Sequence, residues 1–374
     1  MPQSGKRIMK ICITCGMIFC LAGLCLTLHA SEGDEMNDQK TKPMIAVYAV
    51  DGLLKLRKDA SPDQVADFLE DHGINAVFGG YENPEFLAAC RKKKIRVFTD
   101  LVCFVGGRHW HSHPESRPIN ADAKPIEKEE WYSGVCPNQK WLRQDLLEKA
   151  ASLVKTHQLD GVWMDFIRYP CHWEMEKPKL YQSCFCDTCT RLFEKETGIK
   201  IPEEVKKDKK QTADYILKNH GEKWSEWKCE RIAGFVKQVS KLVKRENPAA
   251  MVGLFGLPWR NDEFGGAIKD VVGQDFSLLA RSGVDIFSPM AYHKMCYRDV
   301  PWIARTSSYF KGHTQKEVMP IIQACSVPSE MKEEEFIDAV RHSLIPPSSG
   351  VILFHASHIE KESRWPALKK ALGD

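Results

Sequence analysis

Asp160-Gly161-Val162-Trp163-Met164-Asp165-Phe166-Ile167-Arg168-Tyr169-Pro170 decides how the rest of the chain is read. Val162, Trp163, Met164, Phe166 and Ile167 are apolar, β-branched or aromatic, and Pro170 closes the run. That pattern predicts one buried β-strand with a polar tip. Side chains alternate along a strand, so Gly161, Trp163 and Asp165 share one face and Val162 and Met164 the other. A near-continuous apolar run suits a parallel strand covered on both sides. An acid at the end of such a run is costly to bury unless it is paired or has a task. Arg168, three residues on, is the nearest partner in sequence. A structural Asp165–Arg168 pair is one reading. The other is a catalytic carboxylate at the carboxyl end of a barrel strand, where barrel enzymes place their chemistry.

Working outward, eight strand patterns alternate with helical ones from Pro43 onward. The strands are expected at Met44–Val50, Ala76–Gly80, Ile95–Leu101, the opening stretch, Met251–Leu257, Val284–Met290, Val318–Ala324 and Gly350–Phe354. Helices are expected from Ser61 to His72, with Ser61 as N-cap and Pro62 at the first position. Others are expected over Asn83–Lys94, Trp141–Gln158, Trp224–Arg245, Gln274–Ser282, Glu333–Ser343 and Trp365–Leu372. Eight β/α units give an α/β chain with a (β/α)8 TIM barrel as a single domain over residues 43–374. A doubly wound open sheet is the structural alternative. No glycine-rich phosphate loop follows the first strand, which argues against nucleotide binding. Two long loops, Cys103–Lys140 after strand three and Cys171 to about Gln211 after strand four, would wall a cleft on the carboxyl face.

Composition is that of a soluble globular protein, with 28% charged and 43% hydrophobic residues. The formal net charge of +3 is carried by Lys6, Arg7 and Lys10 near the N-terminus. The remainder is balanced, so nothing points to nucleic acid or a membrane surface as partner. Those three basic residues, the apolar run Ile11–Leu28 and the small residue in Leu28-His29-Ala30 read as a signal peptide over residues 1–30. An uncleaved membrane anchor is the alternative. Residues 31–42 are polar and aperiodic, a flexible leader. The chain is therefore expected to be exported, periplasmic or secreted.

Four of the 14 cysteines, Cys12, Cys15, Cys20 and Cys25, fall in the apolar segment. Of the rest, Cys184-Phe185-Cys186-Asp187-Thr188-Cys189 is the most specific local signal. Three thiols so close suit a thiolate-bound structural zinc, with Cys171 or Cys229 as fourth ligand. Disulfides, which export favours, are the competing reading. Such closely spaced loop thiols bridge one another only with strain.

Asp51, Asp100 and Asp165 stand at strand ends, and Asp262 and Glu263 follow strand five. Two carboxyl groups across a glycosidic bond suffice for sugar hydrolysis. Aromatic residues crowd the same ends, among them Tyr81, Trp110, Trp131, Trp259 and Tyr292, and sugar faces stack on such rings. His109-Trp110-His111-Ser112-His113 invites a metal reading, in which alternating histidines of an extended segment share a face. His293 and His355 at strand ends suit hydrogen bonds to substrate or proton transfer.

Four stretches taken together resemble the bacterial glycosyl-hydrolase-like TIM-barrel families. They are Trp131-Tyr132-Ser133-Gly134-Val135-Cys136-Pro137-Asn138 before a helix, Asp160–Pro170, Thr190-Arg191-Leu192-Phe193-Glu194 and Ser288-Pro289-Met290-Ala291-Tyr292. The resemblance covers nearly all of the chain beyond the leader. It implies a (β/α)8 barrel acting on carbohydrate, with Asp165 as the fourth-strand carboxylate and no catalytic cofactor. One departure is that strand seven ends Gln323-Ala324-Cys325, where many retaining barrel glycosidases carry a Glu. The resulting expectation is an exported glycoside hydrolase. Asp165 is its nucleophile or transition-state stabiliser, held ionised by Arg168, and Asp262 or Glu263 is the proton donor. Asp51, Trp259, Tyr292, His293 and His355 orient the sugar. The alternatives are a carbohydrate-binding barrel without turnover, and a metal-dependent hydrolase or deacetylase using His109, His111 and Asp100.

Overall fold

The computed structural model describes residues 42–129 and 131–373. The segment expected to be a signal peptide, with its four cysteines, and the expected leader up to residue 41 lie outside the described residues. Eight parallel strands follow one another around a barrel. They are β1 (Met44–Val47), β2 (Ala76–Phe78), β3 (Arg96–Val102), β4 (Gly161–Asp165), β5 (Met251–Gly256), β6 (Ile286–Pro289), an interrupted β7 and β8 (Gly350–Phe354). β7 is two pieces, Glu317–Val318 and Ile321–Gln323. The break falls at Met319-Pro320, because proline has no N–H to give the ladder.

The first piece of β7 pairs with β6 and the second with β8, so the sheet turns back on itself. A parallel bridge from Met290 to Ile321 ties the two sides across the break. The Pro320 carbonyl still accepts from Ile352 N at 2.9 Å. β8 pairs in turn with β1, starting at Met44↔Gly350. Among the described residues the barrel sheet is thereby closed, with no free edge of its own.

Inside the barrel the alternation predicted for β4 places Trp163 over the axis. Its ring lies 4.7 Å from Phe98 and 5.0 Å from Phe78, centroid to centroid, and its Nε1 donates to Ser288 Oγ at 3.0 Å. Phe255 and Tyr48 join the same layer, each 5.9 Å or less from Phe78. The indole fits because residue 253 is glycine. A Cβ there would stand 2.1 Å from the Trp163 ring.

Several elements differ from the expectation. β1 ends at Val47, because Ala49 is left-handed (φ 55°) and a helix Val50–Leu56 starts at once. Asp51 therefore sits in a first helical turn and not at a strand end. The helix expected from Trp224 extends over Lys209–Glu246, with a non-helical break at His220. A helix Trp302–Thr314 follows β6 where none was expected. The loop after β4 holds a helix Asp187–Thr197. That helix and the loop before it dock on the long helix through Phe185, Phe193, Trp224 and Trp227, all buried, with Phe185 stacked on Trp224 at 5.1 Å.

Candidate active site

Above the aromatic floor the inward positions turn acidic. Asp100 pairs with Trp163 in the β3–β4 register and has the same parity as Phe98, so it projects inward one layer above that ring. Asp165 stands likewise above Trp163, at the last residue of β4. Its Oδ1 accepts from the next backbone amide, Phe166 N, at 2.6 Å, a short loop made possible by left-handed Phe166 (φ 49°). A bulky residue in that region is strained. Burial pushes the Asp165 carboxyl up to about 7; Arg168 opposes the shift and the Asp100 and Glu174 charges add to it.

Asp100 is also pushed up by burial, against a hydrogen bond from Tyr48. Glu174, in the loop after β4, is raised by burial against the charges of Arg168 and His172. Tyr292 stacks between Trp173 (5.6 Å) and Phe354 (5.2 Å), and burial together with Glu174 and Asp165 raises its phenol. Three carboxyls, two phenols and one guanidinium thus meet over an apolar floor. Trp131, 55% exposed, stands at the rim with its ring 5.9 Å from that of Phe166.

Arg168 is buried, yet it makes no ion pair with Asp165. Its Nε and Nη1 have no hydrogen-bond partner in the protein, and its guanidinium lies 4.9 Å from the Phe166 ring. It acts on Asp165 through the field alone.

The other residues singled out from the sequence are placed as follows. Glu263 accepts from Arg298 Nη2 at 2.5 Å and from Arg260 N at 2.8 Å, and Asp262 pairs with Arg260 at 3.1 Å. The charges acting most strongly on Asp165 are Arg168, Asp100 and Glu174, not these two. Trp259 is buried against Phe264 at 5.0 Å. His293 is buried and faces Glu335 at 3.2 Å; burial lowers its pKa. His355 bonds Ser357 Oγ at 2.8 Å and packs at a tilt on His358 at 3.6 Å, and burial with that neighbour drives it down to about 4. Asp51 Oδ2 accepts from Gly80 N at 3.0 Å.

The histidine run is helical, Gly107–Ser112, so His109 and His111 do not share a face. His109 and His113 pack on Trp141 instead, at 5.2 and 4.1 Å. Among the described residues the one group that could hold a metal ion is Cys136, Cys184, Cys186 and Cys189, with all four sulfurs within 4.8 Å of one another. The fourth thiol is thus Cys136, from the loop after β3. Cys171 instead stands near Arg168, whose charge opposes the upward push of burial on the Cys171 thiol, and Cys229 lies on the long helix against Lys269 O. All ten cysteines of the described residues are free and buried. Cys136 Sγ lies 3.7 Å from Cys186 Sγ and 3.4 Å from Cys189 Sγ. A disulfide needs about 2.05 Å, whereas sulfurs at the corners of a tetrahedron with Zn–S of about 2.3 Å stand about 3.8 Å apart.

Reading by sequence missed Tyr48, Glu174 and Cys136 as site residues. Tyr48 and Glu174 carry no motif. Cys136 lies within a stretch quoted for its resemblance, but about 50 residues from the thiols it joins.

No family model and no curated protein matches the chain. Solved structures do. The glycoside hydrolase domain of PgaB (BpsB) from Bordetella bronchiseptica superposes with a TM-score of 0.64 at 12% identity, over 88% of this chain and 98% of that one. A cold-adapted β-galactosidase from Rahnella sp. R3 gives 0.59 at 14%, over 90% of this chain and 57% of that one. A GH42 β-galactosidase from G. stearothermophilus gives 0.56 at 12%, over 89% and 57%. The chain therefore spans a little over half the length of these β-galactosidases. The likeness establishes that its fold is the α/β barrel on which those glycoside hydrolases are built.

Proposed function

We propose that this chain is an exported glycoside hydrolase that cleaves a glycosidic bond in an oligo- or polysaccharide. Asp165 is the proton donor and Asp100 the carboxylate that works with it. The observation that carries this reading is the convergence of inward carboxyls over an aromatic floor, with Asp165 pushed up to about 7. A carboxyl that still holds its proton near neutral pH suits donation to a leaving oxygen. This reverses the role expected from the sequence, in which Arg168 holds Asp165 ionised. Burial outweighs the guanidinium, which makes no direct contact. Burial pushes the Asp100 carboxyl up as well, and Tyr48 opposes that push, favouring its charged form. Tyr292, Trp131 and Glu174 line the path of the sugar.

Purified protein incubated with a broad glycan panel is the test, with reducing-end release as readout. Asp165→Asn and Asp100→Asn should each lower kcat/KM by about 10²–10⁴ while unfolding cooperatively like the parent. Full activity in either variant ends that residue's assignment. The sugar-binding reading without turnover draws on Gln323 at the end of β7. Its amide is spent on Met295 N, Cys325 O and Val327 O, so no acid stands there. Binding across the panel with no product from the parent would establish that alternative.

The thiol pocket fits a divalent ion held by four thiolates, and zinc is the ion of choice for such a donor set. Its role is structural: it clips the loop after β3 to the loop after β4, the two walls of the mouth.

A further inference from the structure

Two cations are buried beside the thiol pocket, and among the described residues neither has an anionic partner. Lys228 is fully buried on the long helix, and its Nζ donates only to backbone carbonyls: Asp270 O at 2.5 Å, and Ser183 O and Val271 O at 3.3 Å. Asp270 supplies its carbonyl, while its residue surface is exposed. Arg143 is 9% exposed and donates to Pro137 O at 2.6 Å, Arg231 O at 2.9 Å and Asn138 Oδ1 at 3.4 Å. Nearby Arg231 differs, because it pairs with Glu196 at 2.8 Å. A buried charge without a counter-charge is expensive.

The hydrogen bonds show where the missing negative charge belongs. Asn138 Oδ1 faces Arg143 and Arg231, which can only donate. Its amide nitrogen is thereby turned toward Tyr169 Oη at 2.9 Å and Cys189 Sγ at 3.2 Å. Ile119 N points at Cys184 Sγ at 3.4 Å. Two sulfurs of the pocket thus receive N–H groups, as thiolates do. Loading a divalent ion into four thiols releases four protons to solvent and leaves two net negative charges on the centre. Two unpaired buried cations stand beside it. Disulfides or free thiols would leave both uncompensated.

We propose that Lys228 and Arg143 are the counter-charges of a tetrathiolate centre made by Cys136, Cys184, Cys186 and Cys189, and that they set its affinity for a divalent ion. This rests on the metal reading of the pocket. Lys228 and Arg143 touch no ion; they act through charge and through Asn138.

The test is Zn²⁺ affinity of the full chain, measured by competition with a chelating dye, in the parent, Lys228→Met, Arg143→Met and charge-keeping Arg143→Lys. The parent binds one ion per chain, and its cobalt-loaded form shows thiolate charge-transfer bands. Each Met variant loses about 10–100-fold in affinity, and Arg143→Lys recovers most of it. Thermal unfolding separates charge from packing. With the ion removed, Lys228→Met unfolds no lower than the parent, because it sheds an uncompensated charge. With the ion bound it unfolds lower. If Lys228→Met does not fold, the two Arg143 variants decide the matter alone. Equal affinity in the parent and the Met variants overturns the counter-charge assignment and leaves the metal site standing. A parent that takes up no Zn²⁺ or Co²⁺ removes the metal reading itself, and this proposal with it.

Discussion

Asp165 illustrates how one side chain can be set by its surroundings more than by its sequence neighbour. Arg168 is three residues away and charged, but it reaches the carboxyl only through space, and desolvation wins. The consequence for activity is an alkaline limb. If Asp165 donates the proton, kcat should fall as pH rises through about 7. A pH profile flat from 6 to 9 (assay range, roughly) would remove it as the donor. The consequence for stability has the opposite sign to that of an ordinary paired acid. Unfolded, Asp165 ionises near its usual 3.8, and folded near about 7. Between those values the folded chain holds the extra proton, so stability is lost as pH rises through that window. Asp165→Asn should therefore raise stability by about 1–4 kcal/mol above pH 7 and by nothing near pH 3.5. Urea unfolding at the two pH values measures the difference.

At the scale of elements, β4 and β5 are fitted to each other through one ring. Trp163 crosses the barrel interior over Gly253, and an added methyl would overlap the indole. Gly253→Ala should cost about 1–3 kcal/mol by overpacking and change Trp163 fluorescence; a variant with the parent's urea midpoint would show that the floor is loose. The two long loops are tied by a second contact besides the thiols. Glu129, after β3, accepts from Lys179, Tyr181 and from His172 at 3.0 Å, all in the loop after β4. Burial alone would raise its pKa, but these donors prevail and hold it at about 2. That stabilisation is present above the usual 4.5 and fades as pH falls toward 2. Glu129→Gln should lose on the order of 1–3 kcal/mol at pH 7, and the gap to the parent should close near pH 2. A gap of constant size would mean that packing, and not charge, joins the loops.

At the scale of the whole molecule, the barrel closes through a strand that proline divides. β7 serves β6 with one piece and β8 with the other, so a local defect becomes a corner. Outside this closed sheet, the mouth is walled by the two long loops, which the thiol pocket joins together with the Glu129 contacts. Stripping a tight structural ion should remove about 4 kcal/mol if the ion is held at about 1,000 times its Kd. The thermal midpoint would then fall in chelator and return on adding Zn²⁺. Turnover below that midpoint should persist, because the proposed chemistry belongs to Asp165 and Asp100. Chelator without effect on unfolding would remove the ion from the account of stability.

Local pattern carried much of the architecture. The near-continuous apolar runs and the helical stripes between them already spelled out eight strands and all but one of the helices that follow them, because burial on both faces of a parallel strand is written along the chain itself. The capping box Ser61–Gln64 formed as its residues require. The inward parity of Asp165 followed from alternation. Left to tertiary structure were the partnerships between distant segments. Nothing near Asp165 in sequence announces that Asp100, Tyr48 and Glu174 meet it, nor that Cys136 completes a pocket with thiols about 50 residues on. Asp262 and Glu263 looked like the natural second acids, but neighbouring arginines hold both. Periodicity reports which face of an element is buried. Which faces are then brought together, and whether a buried acid keeps its proton, depends on closure of the barrel and on the low dielectric that closure creates.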